Sequence, residues 1–81
     1  MVEQKLKLKA FGIAREILGG REIEVDSVSN VAELRNLLLN AYPKLKELNS
    51  FMIAVNQTYA TDEILVSPTD EIAIIPPVSG G

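Results

Sequence analysis

The chain has 81 residues, a net charge of −3, and neither cysteine nor histidine. That length supports one domain with a modest core, and the two missing residue types exclude disulfides, thiolate metal sites and any Ser-His or Cys-His nucleophile. The negative balance argues against a nucleic-acid binder, which needs clustered Lys and Arg, and no apolar run nears the ~20 residues of a membrane span.

Hydrophobic residues make up 47% and charged residues 23%, the balance of a soluble globular protein. With no tryptophan, two phenylalanines and two tyrosines, aliphatic side chains must fill the core. The N-terminal "MVEQKLKLKAFG" alternates instead of forming the uninterrupted apolar core of a signal peptide, so a cytoplasmic protein is expected.

In chain order, "KLKLKAF" puts Leu6, Leu8 and Ala10 on one face and Lys5, Lys7 and Lys9 on the other, the period of a half-buried strand. The lysines read as a solvated face. "AREILGG" follows, with Gly19-Gly20 as a turn signal, and "REIEV" alternates again with Ile23 and Val25 inward. The two runs predict a hairpin with a longish connection. The one clear helix comes next. Asn30 is its N-cap, Glu33 completes a capping-box spacing, and Val31, Leu34, Leu37, Leu38 and Ala41 form one stripe. Pro43 ends it near Tyr42, and "KLKEL" adds a short helical turn.

"FMIAV" reads as a central strand buried on both faces, Asn56-Gln57 as a turn, and "ATDEILV" as a weak strand. Ser67-Pro68-Thr69-Asp70 predicts a type I turn. "EIAII" is the last strand, stopped by Pro76-Pro77. The order predicts an α+β domain in which one main helix covers a small mixed sheet, since an isolated helix of this length would not be stable. If the first and last strands lie side by side in parallel, the arrangement is a β-grasp, with residues 1–75 as its body and 76–81 as an extended tail.

Catalytic candidates are few. Asp62-Glu63 and Asp70-Glu71 are carboxylate pairs in turn sequence and read as solvated loop charges, as does Arg15-Glu16. No Gly-x-Gly-x-x-Gly or Walker-type loop is present, and Gly19-Gly20 alone is weak evidence for phosphate binding. The tail is different. Beyond Glu71 it offers apolar groups, one hydroxyl and a terminal carboxylate. Pro76-Pro77 stiffens the exit from the sheet. Gly80 and Gly81 would let the backbone enter a channel too narrow for a Cβ. Such a tail suits delivery of the C-terminus into another protein's active site.

"IIPPVSGG", with "VNQTY" upstream and "LKLKAFGIAREILGG" at the start, resembles the small subunits of molybdopterin synthase across essentially the whole chain. "PPVSGG" is the most specific part. Ile74-Ile75 departs from the pattern, because relatives often carry phenylalanine there. The resemblance implies the ubiquitin-like β-grasp fold and a sulfur carrier. An activating enzyme would use ATP to adenylate Gly81, a persulfide donor protein would convert it to a thiocarboxylate, and the tail would enter the large synthase subunit. There the sulfur would attack a cyclic pyranopterin phosphate, and two deliveries would build the molybdopterin dithiolene. The resemblance also implies a heterotetramer of two small and two large subunits, no permanently bound cofactor or metal, and no catalytic acid or base in this chain. Gly81, with Gly80, would be the chemical site. Phe11, Tyr59 and Ile75 would contact both partners, and Pro76, Pro77, Val78 and Ser79 would line the inserted tail. The alternatives are a carrier for another pathway such as that of thiamine, a ubiquitin-like protein modifier, and a passive β-grasp interaction module.

Overall fold

Strict alternation over Lys5–Ala10 makes the first strand, β1, whose leucines and alanine are buried and whose lysines are exposed. The computed structural model describes residues 5–48 and 51–77. Within them β1 is followed by a short helix α1 (Ile13–Leu18), strand β2 (Glu22–Asp26), the main helix α2 (Val31–Ala41), a 3₁₀ segment (Pro43–Glu47) and strands β3 (Met52–Val55), β4 (Thr58–Tyr59) and β5 (Ile72–Ile75). The five strands form one sheet in the order β2-β1-β5-β3-β4. β1 and β5 are parallel, with Leu8 opposite Ile72 and Ala10 opposite Ile74, while the other pairs are antiparallel. This is the expected β-grasp arrangement, an α+β fold.

Leu6, Leu8, Ile53, Ile72 and Ile74 from one face of the sheet meet Val31, Leu34 and Leu38 of α2, all fully buried. Leu37 only packs at the margin of this core and Ala41 is exposed, so the buried stripe of α2 is narrower than the expected one. The Asn30 side chain accepts from the Glu33 N–H at 2.9 Å, as a capping residue should. The Glu33 carboxylate accepts from the Ser29 N–H, one residue before the cap itself.

Three expectations need correction. "AREILGG" is not simply a connection: its first five residues, with Ile13 before them, form α1, which buries Ala14 and Leu18 and ends on Gly19 in the left-handed region at φ 90°. The central strand is β5, not "FMIAV", and Met52 in that run is 43% exposed. "ATDEILV" is not a sheet strand. Asn56 and Gln57, both at positive φ, make a two-residue hairpin turn, so β4 begins at once at Thr58. The following segment caps α2 instead: the carbonyls of Ile64 and Asp62 accept from the Val31 and Ala32 N–H groups at 2.9 and 3.0 Å. First-turn N–H groups have no partner within their own helix, and this segment supplies it.

Candidate functional site

The sheet face turned away from α2 collects what the core leaves over. At its β1–β2 end, Lys5, Lys7 and Lys9 stand directly opposite Asp26, Glu24 and Glu22. Lys5 pairs with Asp26 at 3.4 Å, while Lys9 reaches across to Glu71 at 3.2 Å. Exposed pairs of this kind add little stability, but opposite charges facing each other across a sheet leave no free cationic patch.

The same face turns apolar toward β5, β3 and β4. Ala54 lies opposite Ala73 on one side and Tyr59 on the other, and Met52 lies opposite Ile75. The two small alanines lie low between larger neighbours, leaving a depression of about 400 Å³ lined also by Phe11, Gln57, Tyr59, Glu71 and Ile75. Phe11 extends the β1–β5 ladder one residue beyond β1, its N–H donating to the Ile74 carbonyl at 3.2 Å. Phe11 is 44% and Tyr59 64% exposed. Large exposed apolar side chains gathered on one face mark a binding surface more often than scattered ones do.

Phe11, Tyr59 and Ile75, three residues singled out from the sequence, therefore surround one depression. The chain leaves the sheet beside it through Pro76, half-buried, and Pro77, exposed. Val78, Ser79, Gly80 and Gly81 lie outside the described residues. Met52 and the alanine floor were not among the expected site residues. Their signal was present in "FMIAV": with Phe51, Ile53 and Val55 turned inward, alternation sends Met52 and Ala54 to the open face.

The loop carboxylates serve local ties. Asp70 accepts from Asn56 Nδ2 at 3.0 Å and from the Ser67 N–H at 2.8 Å, and these bonds, the Asn56 one foremost, hold its carboxyl below the usual 3.8. Asn56 Oδ1 in turn accepts from the Glu71 N–H at 2.9 Å, so the β3–β4 turn is stapled to the entry of β5. Asp62 lies 3.6 Å from Arg35, which also donates to the Phe51 carbonyl at 2.9 Å and sits over the Phe51 ring. The side chains of Asp70 and Glu71 thus go to separate partners. Among the described residues no charged or polar side chain is buried, no group of three or more acidic residues is placed to hold a metal ion, and no helix is long and apolar enough to cross a membrane.

The ThiS family profile matches residues 8–81. The chain is 38% identical to the molybdopterin synthase sulfur carrier subunit of Caenorhabditis briggsae over 94% of its own length and 96% of that protein. It is 36% identical to the subunit of the same name in Arabidopsis thaliana, over 95% of this chain and 83% of that one. Among solved structures, small archaeal modifier protein 1 of Methanosarcina acetivorans superposes with a TM-score of 0.78 at 29% identity, covering 100% of both chains.

Proposed function

The chain belongs to the ThiS family, and from that membership we propose that it is the sulfur-carrier subunit of a molybdopterin synthase, as its two relatives are named. The observation that carries the reading is the apolar depression of Phe11, Tyr59 and Ile75 immediately beside the Pro76-Pro77 exit. A partner that grips this face meets the chain where Pro76-Pro77 leaves the sheet. From Pro76 to Gly81 the extended chain reaches about 20 Å, enough to bring a carboxyl group from the surface of one protein to the interior of another.

In this reading residues 1–75 are the gripped body and 76–81 the delivered arm. An activating enzyme takes up the Gly81 carboxylate and ATP, forms the acyl-adenylate and releases pyrophosphate. The terminal sulfur of a donor persulfide displaces AMP, and thiol cleavage of the acyl disulfide leaves the thiocarboxylate on Gly81. The arm, with Gly80 and the Pro76–Ser79 stretch in the channel, then enters the large subunit, where the thiocarboxylate sulfur attacks a cyclic pyranopterin phosphate and water hydrolyses the resulting thioester, leaving sulfur on the pterin and returning the Gly81 carboxylate. Two deliveries, from a heterotetramer of two small and two large subunits, complete the dithiolene. Acid–base groups come from the partners, in keeping with a body whose described polar side chains are all solvated. The cytoplasm, where ATP and the activating enzyme meet, is the compartment this chemistry requires.

The test is the intact mass of the protein purified from its own host: replacement of one terminal oxygen by sulfur is expected, and its absence under conditions of active cofactor synthesis counts against the reading. A second reading, a modifier joined through Gly81 to target lysines, is favoured by the full-length similarity to small archaeal modifier protein 1. It predicts an isopeptide bond in place of the thiocarboxylate. A passive module would keep its activity when the chain is extended past Gly81, whereas both other readings require the free carboxyl.

A further inference from the structure

Between β1 and α1 the chain makes a tight turn, Phe11-Gly12-Ile13-Ala14, closed by the Ala14 N–H donating to the Phe11 carbonyl at 3.1 Å. Gly12 stands at φ 56°, ψ −137°, which is the first central position of a type II′ turn and close to glycine-only backbone. The turn alone would account for a glycine here. A second feature is independent of it: a Cβ on Gly12 would lie 3.1 Å from Cγ and 3.9 Å from Cδ of Pro76. Carbon atoms prefer about 3.5–4.0 Å. The Pro76 ring therefore stands a few tenths of an ångström too close for a side chain at position 12 and would have to give way to one.

We infer that Gly12 is the seat of Pro76, a positioning residue that sets the direction in which the chain leaves the sheet. The inference rests on the carrier reading above and adds to it the part of the body that aims the arm. Pro76 follows directly on the β5 ladder, where Ile74 and Ile75 pair with β3, and its ring lies beside the open side of Gly12, where a Cβ would stand. With its own φ fixed by the ring, Pro76 can lie in this direction only while position 12 carries no side chain. If the arm is drawn out straight in a partner's channel, to ~17 Å, a tilt of about 10° at its root would carry its end about 3 Å. Misplacement of even ~1 Å at a reacting centre can cost 10²-fold in rate. Phe11 shares the turn with Gly12, so the Kd for the large subunit is what separates an effect on the arm from one on the gripping face.

The experiment uses full-length chains bearing a preformed Gly81 thiocarboxylate, saturating large subunit and cyclic pyranopterin phosphate. Gly12→Ala, Pro76→Gly and the double variant are compared with the unsubstituted chain by single-turnover sulfur transfer and by Kd for the large subunit. Cα–Hα residual dipolar couplings of Pro76 and Pro77 give their orientation relative to the sheet. Gly12→Ala is expected to keep its Kd within about threefold while its saturated transfer rate falls by about tenfold or more, with changed couplings at Pro76 and Pro77. The double variant should lose no more than the worse single one, because both changes break the same contact. Wild-type transfer by Gly12→Ala, a loss confined to Kd, losses that multiply in the double variant, or unchanged couplings would each overturn the seat. Should Gly12→Ala not fold, Pro76→Gly decides, and an undiminished saturated rate overturns it. An unsubstituted chain that transfers no sulfur refutes the carrier reading instead, and the couplings still judge whether Gly12 aims the exit.

Discussion

Ile74 and Ile75 are chemically identical neighbours on opposite faces of β5, and the fold assigns them opposite fates. Ile74 is 0% exposed and belongs to the core, whereas Ile75 is half-buried beside the depression on the open face. Truncating Ile74 to Ala removes fully packed methyl groups and should cost about 2–5 kcal/mol. At roughly 4–8 °C of Tm per kcal/mol for a domain of this size, Ile74→Ala should melt about 8–40 °C early. Ile75→Arg keeps its stem along the surface and its charge in water, so its stability should stay within about 0.5 kcal/mol of wild type. Its cost appears in binding. Loss of a central apolar anchor is worth about 2 kcal/mol or more, a weakening of the Kd for the large subunit by roughly 30-fold. Thermal melts by circular dichroism and a titration of large subunit into each variant measure both quantities. Equal destabilisation by the two changes would refute the assignment of faces, and an unchanged Kd for a folded Ile75→Arg would refute the docking surface. Phe11→Arg should behave like Ile75→Arg.

On α2, Leu34→Ala should cost about 2–5 kcal/mol and Leu37→Ala clearly less, because Leu34 is fully buried and Leu37 only borders the core; equal melting shifts would mean the helix is rotated from its described orientation. Deleting Gly81 retracts the carboxyl by about 3.5 Å without touching the core, so an unchanged Tm should accompany complete loss of sulfur transfer. Gly80→Ala, which adds a Cβ in the channel, should transfer poorly and melt normally; full activity from the chain lacking Gly81 would refute the carrier reading. For Asp70, hydrogen bonds lower the folded pKa below 3.8, so its contribution is present above that value and is lost as pH falls through the folded pKa. The Tm gap between wild type and Asp70→Ala should therefore narrow on going from about pH 7 to about pH 2, and a constant gap would show that the carboxylate staple is not what Asp70 contributes.

The elements legible in the sequence were those whose periodicity and punctuation agreed. β1 alternates without a break, α2 carries its cap at Asn30 and its stop at Pro43, and β5 is closed by Pro76-Pro77. One misread element obeys a partner distant in the chain. In 60–66, apolar residues at Ile64, Leu65 and Val66 resemble a strand, yet the segment's backbone is taken by the first turn of α2, some thirty residues earlier. α1 was hidden because six residues show less than two turns of helical period, and because its glycines read as a turn when Gly19 is in fact its cap. Phe11 and Ile75 were visible as candidates, but their meeting depends on the parallel β1–β5 pairing, a contact between the two ends of the chain.

In the carrier reading that pairing also explains how a chain without histidine or cysteine can serve a reaction. Placing β1 beside β5 brings the Phe11-Gly12 turn to the point where the C-terminal segment leaves the sheet, so the gripping face and the exit share one edge of the body. A side-chain nucleophile would need a buried partner to tune it, at a stability cost that a domain of 81 residues can ill sustain. A terminal carboxyl group needs none. In the carrier reading the residues that fold the protein and those that present its reactive end can then change largely independently, apart from a contact at the root of the exit. That contact is Gly12 against Pro76. The prediction specific to it is that a single methyl group there separates folding and binding, which persist, from delivery, which fails.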